Sequence, residues 1–269
     1  MPFAEHDGVR LAYERGGNPD GEVVAFVEGL GYGRWMWRWQ RQAVADDYEW
    51  ILWDNRGTGE SDAPEGPYTI DAMAGDLDAV LADAGVDAAH IVGASMGGMI
   101  AQQFALDYDR AETLSLLCTS PGGPEEVPIP EATLERMFGV PDTYNEREAI
   151  RYKMQPAMTD SFWNEHDDLI ESIVDWRLDS DAAGQAREWQ GAAVDAFDVS
   201  DRLDELTLPT LILHGERDQV VPTANGELLA DGIPDATFET FDDGGSHLFF
   251  IERAESVNDR LRAFIDADR

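Results

Sequence analysis

The stretch His90-Ile91-Val92-Gly93-Ala94-Ser95-Met96-Gly97-Gly98 runs from an apolar triplet through a turn of small residues into a helical pattern that continues to Leu106. A G-x-S-x-G placed directly after a strand and directly before a helix is the sequence form of a nucleophile elbow. Its serine is held at a strained turn with the hydroxyl exposed, and small flanking residues let strand and helix approach closely. The helix beginning at Met96 offers that residue's backbone N–H to a developing oxyanion. The competing reading, a glycine-rich turn with an idle serine, is disfavoured by the context on both sides. Ala88 to Leu106 is also the longest uncharged stretch and has about the length of a membrane span. Gly93, Ser95, Gly97, Gly98, Gln102 and Gln103 interrupt it, so it reads as strand, turn and helix.

Working outward, residues Pro2 to His6, the Asp7-Gly8 pair and Val9 to Arg15 read as a hairpin, because Asp-Gly supplies the positive φ angles of a two-residue turn. Apolar runs follow at Val23–Val27, Trp50–Trp53, His90–Val92, Thr113–Leu117, Thr210–Leu213 and Ala236–Phe241. They alternate with helical stretches such as Thr69–Ala84, Ala224–Ala230 and Arg253–Ile265. Strands without polar alternation, separated by helices, imply an α/β fold: a mostly parallel, doubly wound sheet of about eight strands. One region breaks the rhythm. From Gly122 to about Phe197 only helical patterns occur, opened by the proline-rich PGGPEEVPIP, and they predict an insertion of three or four helices after the sixth strand. The expected organisation is a core over 1–121 and 199–269 with a helical lid over 122–198.

Serine alone is a weak nucleophile, so a base and an orienting acid are required. Leu211-Ile212-Leu213-His214-Gly215-Glu216-Arg217-Asp218 ends a strand with an aspartate in the following loop. Gly244-Gly245-Ser246-His247 places a histidine on a glycine-rich loop after the last strand. The candidate triad is therefore Ser95, Asp218 and His247, with Asp218 fixing the imidazole tautomer and His247 deprotonating Ser95. Glu216, Asp242 and Asp243 are weaker candidates for the acid. His6, His90 and His214, in or beside strands, read as structural, and His166 falls in the inserted helices. Cys118 reads as a buried small apolar residue.

The order Ser, Asp, His, the elbow, the loop Phe26-Val27-Glu28-Gly29-Leu30-Gly31 and the D-x-R-G-x-G-x-S-D loop from Asp54 to Asp62 together resemble the lid-bearing Ser-type α/β-hydrolases. That group includes 3-oxoadipate enol-lactonases, small carboxylesterases, non-haem perhydrolases and C–C bond hydrolases. The resemblance implies the α/β-hydrolase fold and makes the Leu30 N–H the second oxyanion donor beside that of Met96. It implies acyl transfer on an ester or lactone of a small apolar molecule, without metal or organic cofactor. Trp35, Met36, Trp163, Trp176 and Leu248 are candidate pocket residues, and Arg151, Arg177 and Arg187 are available as lid cations for an acidic substrate. A C–C hydrolase, a perhydrolase and a non-catalytic binding protein on this fold are the alternatives. Glu28 stands where the group has histidine, and the expectation is an ion pair with Arg56, or second with Arg34, that neutralises it and pins the loop.

Composition narrows the partners. Among 269 residues, 55 Asp and Glu oppose 19 Lys and Arg, a net charge of −36, and Lys153 is the one lysine. A nucleic acid or an anionic membrane surface needs basic patches, so neither is expected as partner. The dispersed acidity resembles the proteins of salt-in halophilic archaea, whose molar salt shortens the Debye length to about 3 Å. One cysteine permits no intrachain disulfide, and the N-terminus shows no secretory h-region. A cytoplasmic enzyme follows as the expectation, with a homodimer allowed.

Overall fold

Alternate residues of each central strand enter different cores. In a computed structural model describing residues 1–182, 184–241 and 245–267, Ala25, Val27, Ile51, Trp53, Ile91 and Ile212 share one buried cluster. Their strand neighbours Val24, Phe26, Leu52, Val92, Leu211 and Leu213 share another. A period of two with apolar residues at every position is what a sheet covered on both faces demands. The eight strands are β1 (Phe3–His6), β2 (Val9–Gly17), β3 (Val23–Val27), β4 (Glu49–Trp53), β5 (Ala89–Ala94), β6 (Ala111–Leu117), β7 (Thr210–Gly215) and β8 (Ala236–Phe241). They lie in the order β1-β2-β4-β3-β5-β6-β7-β8. The first two pairings are antiparallel and the remaining five parallel, which gives the expected eight-stranded, mostly parallel sheet. Asp7 and Gly8 turn the hairpin at φ 50° and 79°.

On the first face lie α2 (Ile70–Asp83), α3 (Met96–Asp107) and α9 (Ala224–Gly232); on the second lie α1 (Arg38–Val44), α10 (Phe249–Glu252) and α11 (Ala254–Ala267). Thr69 caps α2 by accepting from the Ala72 N–H. Large side chains such as Trp37, Trp53, Phe104 and Phe249 are fully buried, each worth about 1.5–3 kcal/mol against exposure.

Between β6 and β7 come α4 (Glu131–Phe138), α5 (Glu146–Met154), α6 (Asp160–Glu165), α7 (Asp167–Ser180) and α8 (Gly184–Asp195). The described residues here form five α-helices, where periodicity predicts three or four. The extra one arises because His166 ends α6 at φ −123° and α7 restarts at the next residue, a break that leaves the apolar spacing intact. The ends of this segment meet at an isolated antiparallel bridge between Gly122 and Asp198, with the Val199 N–H donating to Pro121 O at 3.0 Å. No helix among the described residues is long and apolar enough to cross a membrane.

Candidate active site

The chain reverses direction across the sheet between β3 and β5, and at such a switch point the loops beyond the carboxyl ends of the strands part to leave a crevice. Ser95 stands there, between β5 and α3, at φ 55° and ψ −121°. A positive φ at a non-glycine residue costs of order 1–3 kcal/mol and persists only where its surroundings enforce it. The enforcement is steric and hydrogen-bonded. A β-carbon at Gly93 would collide with the Gly97 carbonyl, and one at Gly97 with that of Val27, so only glycine lets β5, α3 and β3 close up. The Ser95 N–H donates to Leu117 O at 2.9 Å, and the Thr119 hydroxyl donates to Ser95 O at 2.7 Å.

Two neighbouring strand ends bring the other candidates together. Asp218, in the loop after β7, and His247, after β8, are both buried, and His247 Nδ1 lies 2.8 Å from Asp218 Oδ2. The second carboxylate oxygen of Asp218 accepts from the N–H groups of Val220 and Val221 at 2.8 and 2.9 Å. Burial pushes the Asp218 pKa up, but the charge of His247 and hydrogen bonds from His214 and His247 outweigh it and bring the carboxyl down to about 2. A permanently ionised Asp218 fits a partner that holds Nδ1–H and leaves Nε2 as the basic nitrogen. Gly244, Asp242 and Asp243 lie outside the described residues.

Two residues that the sequence marks as structural, His214 and Cys118, lie against this pair. His214 is fully buried with Nε2 3.4 Å from Asp218 Oδ2 and 2.8 Å from Val221 O. Its four-residue spacing from Asp218 across the end of β7 is the signal that could have found it. Cys118 is buried as expected, but it sits at φ 43° with its sulfur, an Asp218 oxygen and a His247 nitrogen all within 4.8 Å of one another. Burial first, then the charge of Asp218, raises its thiol pKa well above the usual value.

The loop after β3 completes the floor. A β-carbon at Gly29 would stand 3.5 Å from Ser95 Cβ, and neither the Leu30 nor the Met96 N–H donates to an acceptor among the described residues. The next residue is fastened from α8: the Gly31 N–H donates to Gln190 Oε1 at 2.8 Å, and Gln190 Nε2 donates onward to Arg56 O and Thr58 Oγ1. The Ala182 N–H donates to Gly31 O at 2.9 Å.

Glu28 corrects an expectation. It is fully buried, neither carboxylate oxygen has a hydrogen-bond partner, and it pairs with neither arginine. Arg56 points instead to α2, where it grips Asp76 with two bonds of 2.6 Å; Arg34 holds Asp54 at 3.0 Å and Glu14 at 3.1 Å. Each cation had a better-placed carboxylate. Burial, reinforced by the charge of Asp54, raises the Glu28 pKa well above the carboxylate range, so the side chain is neutral rather than paired.

Of the candidate pocket residues, Met36 and Leu248 are buried, and Met36 Sδ accepts from the Gly29 N–H at 3.4 Å. Trp35 is partly buried, bonds Asp181 through Nε1 at 3.1 Å and packs against Trp176 at 5.7 Å between centroids. Trp163 lines an outer cleft of about 300 Å³ with Arg136, Tyr144 and Tyr152, under the guanidinium of Arg151.

A family model described as "alpha/beta hydrolase fold" matches residues 22–254. The protein that carries the name carbamate hydrolase RutD in Azorhizobium caulinodans is 30% identical, with 98% of each chain covered. 3-Oxoadipate enol-lactonase 2 of Acinetobacter baylyi is 27% identical over 95% of this chain and 92% of its own. Among solved structures, the enol-lactonase from Burkholderia xenovorans superposes with a TM-score of 0.85 at 26% identity, covering 98% of this chain and 100% of that one. A thermophilic esterase from Thermogutta terrifontis gives 0.82 at 31%, covering 99% and 98%.

Proposed function

The chain belongs to the alpha/beta hydrolase fold family, a hydrolase acting on ester-like bonds, and from that premise we propose that it cleaves a carboxylic ester or lactone through a Ser95-His247-Asp218 triad and an acyl-enzyme. The observation that supports this reading best is a serine at positive φ just beyond the carboxyl end of β5, with a buried His247-Asp218 pair in the loops that follow β7 and β8 of the same sheet. Ser95 Oγ attacks the substrate carbonyl as His247 Nε2 takes its proton, and the electron pair moves onto the carbonyl oxygen between the N–H groups of Leu30 and Met96. Collapse expels the alkoxide, which His247 protonates; water, deprotonated by the same nitrogen, then releases the acid and restores Ser95. Asp218 keeps Nδ1–H facing itself and stabilises the imidazolium formed twice per turnover.

The five helices over 122–198 serve as a lid on this site, and Gln190 carries their position to the oxyanion loop. Trp35, Met36, Trp176 and Leu248 form the apolar wall for a small substrate. The acidic surface adapts the enzyme to the molar salt of a halophilic cytoplasm, where it acts on a small molecule rather than on a nucleic acid or a membrane. The test is fluorophosphonate labelling together with a panel of p-nitrophenyl esters, lactones and peracid formation in molar KCl. Wild type should be labelled and should hydrolyse short esters, and Ser95→Ala should do neither while keeping its circular dichroism spectrum. An unlabelled wild type would favour a binding protein on this fold, and hydrolysis within about tenfold of wild type in Ser95→Ala would remove the nucleophile.

A further inference from the structure

With 55 acidic residues and five histidines, metal-binding donors would be expected to crowd together on the surface. Among the described residues, however, the one group of three or more His, Cys, Asp or Glu donors that converges is internal. It consists of Cys118, Asp218 and His247: all three are buried, and the sulfur, a carboxylate oxygen and an imidazole nitrogen lie within 4.8 Å of one another. Cys118 directly follows β6, and Asp218 and His247 lie in the loops after β7 and β8, so three adjacent strands of the sheet fix the spacing. Acyl transfer uses Asp218 and His247 and leaves the thiol without a task.

The donor set has the character of a zinc site. Thiolate, imidazole and carboxylate are the side-chain ligands that Zn2+ takes, at about 2.0–2.3 Å, and three protein donors leave a fourth position to water. Donors around a tetrahedral ion of that size stand about 3.5 Å apart, so side-chain movements of about 1 Å close the group around it. Asp218 is braced as ligating carboxylates are, since its Oδ1 accepts from the Val220 and Val221 N–H groups at 2.8 and 2.9 Å. Without a metal the thiol keeps its proton, because burial and then the charge of Asp218 oppose a thiolate. A divalent ion reverses that balance. The thiol proton leaves to solvent, the sulfur's electron pair goes to the metal, and one thiolate with one carboxylate cancels its double charge, so the buried complex is neutral.

Resting on the hydrolase reading above, we propose that Cys118, Asp218 and His247 bind a thiophilic divalent cation, Zn2+ or one of like softness, and that its binding switches the hydrolase off. Either imidazole nitrogen suffices. A metal on Nε2 takes the lone pair that would accept the Ser95 proton; a metal on Nδ1 leaves the ring's proton on Nε2, and the same lone pair is lost. Hard cations prefer oxygen donors and have no hold on the sulfur, so molar KCl does not fill the site.

The experiment uses the full chain in molar KCl with Co2+ and Zn2+ as probes. Co2+ bound by a thiolate shows a strong near-ultraviolet charge-transfer band. With one cysteine in the chain that band reports Cys118 alone, however many surface carboxylates take up metal. Wild type should develop the band, lose it when Zn2+ displaces Co2+, and lose short-ester hydrolysis at micromolar Zn2+, with a chelator restoring the rate. Cys118→Ser should show no band and should need at least tenfold more Zn2+ for half-inhibition, measured against its own metal-free rate. Ser95→Ala, whose missing hydroxyl is outside the donor set, should bind Co2+ within threefold of wild type and gives a readout independent of turnover. A wild type that forms no band, or whose hydrolysis Zn2+ inhibits no more than it inhibits Cys118→Ser, overturns the proposal and leaves the hydrolase reading intact. A Cys118-dependent band in a protein that hydrolyses no ester sinks the hydrolase reading and sustains the metal site.

Discussion

At the scale of single residues, Glu28 and Asp218 are two buried carboxyls held in opposite protonation states. Asp218 has hydrogen-bond partners on both oxygens; Glu28 has none and faces the charge of Asp54. Their linkage to stability therefore has opposite sign. The folded pKa of Asp218, about 2 against an ordinary 3.8, contributes about 2 kcal/mol above pH 4, lost as pH falls from 4 to 2. Acid unfolding of Asp218→Asn, followed by circular dichroism, should lack that component. The folded pKa of Glu28 is raised, so its contribution is fully present below its unfolded value and is lost as pH rises through the folded one. Glu28→Gln, which keeps the shape and removes the titration, should melt with wild type at pH 4 and above it at pH 9. Equal melting temperatures at pH 9 would show that Glu28 carries no buried titration. Nothing in the sequence around Glu28 distinguishes a neutral carboxyl from a paired one. Its state depends on where Arg56 and Arg34 turn, and α2 offered Arg56 a carboxylate that topology alone did not reveal.

Elements explain which parts were legible in advance. The path from β5 through Ser95 into α3 could be read because close approach admits only glycine at 93 and 97, and the order of Asp218 and His247 because strand ends set both positions. The juncture of α6 and α7 could not, since a helix break without glycine or proline leaves no mark in the apolar spacing. Contacts between the inserted helices and the core, such as Gln190 on Gly31, depend on tertiary docking and were equally invisible. Three substitutions probe these elements. Gly97→Ala should destabilise the fold by about 1–3 kcal/mol in urea titrations, because its β-carbon must push against the Val27 carbonyl in a packed core. Asp76→Ala strands a buried Arg56 and removes the partner of His6 Nδ1 at 2.7 Å, at a cost of about 3–5 kcal/mol. Gln190→Ala, by freeing the Gly31 N–H, should lower kcat more than it raises KM, whereas an equal loss on both sides would mark a purely structural contact.

Over the whole molecule, a charge of −36 means that every compact state works against its own repulsion. Melting temperature should rise between dilute buffer and molar KCl, and the fold should loosen below about 0.5 M, where the Debye length exceeds contact distance. An unchanged melting temperature would show a surface that merely tolerates its acidity. The shortage of lysine has a further result for proteolysis. An endoprotease that cleaves after lysine finds one bond, between Lys153 and Met154 near the end of α5, and in the native state the helix and its packing on α7 deny an extended backbone to the protease. Cleavage then reads the opening of the helical segment as the appearance of two fragments, one bearing Ser95 and the other Asp218 and His247, so a single cut separates the nucleophile from its base.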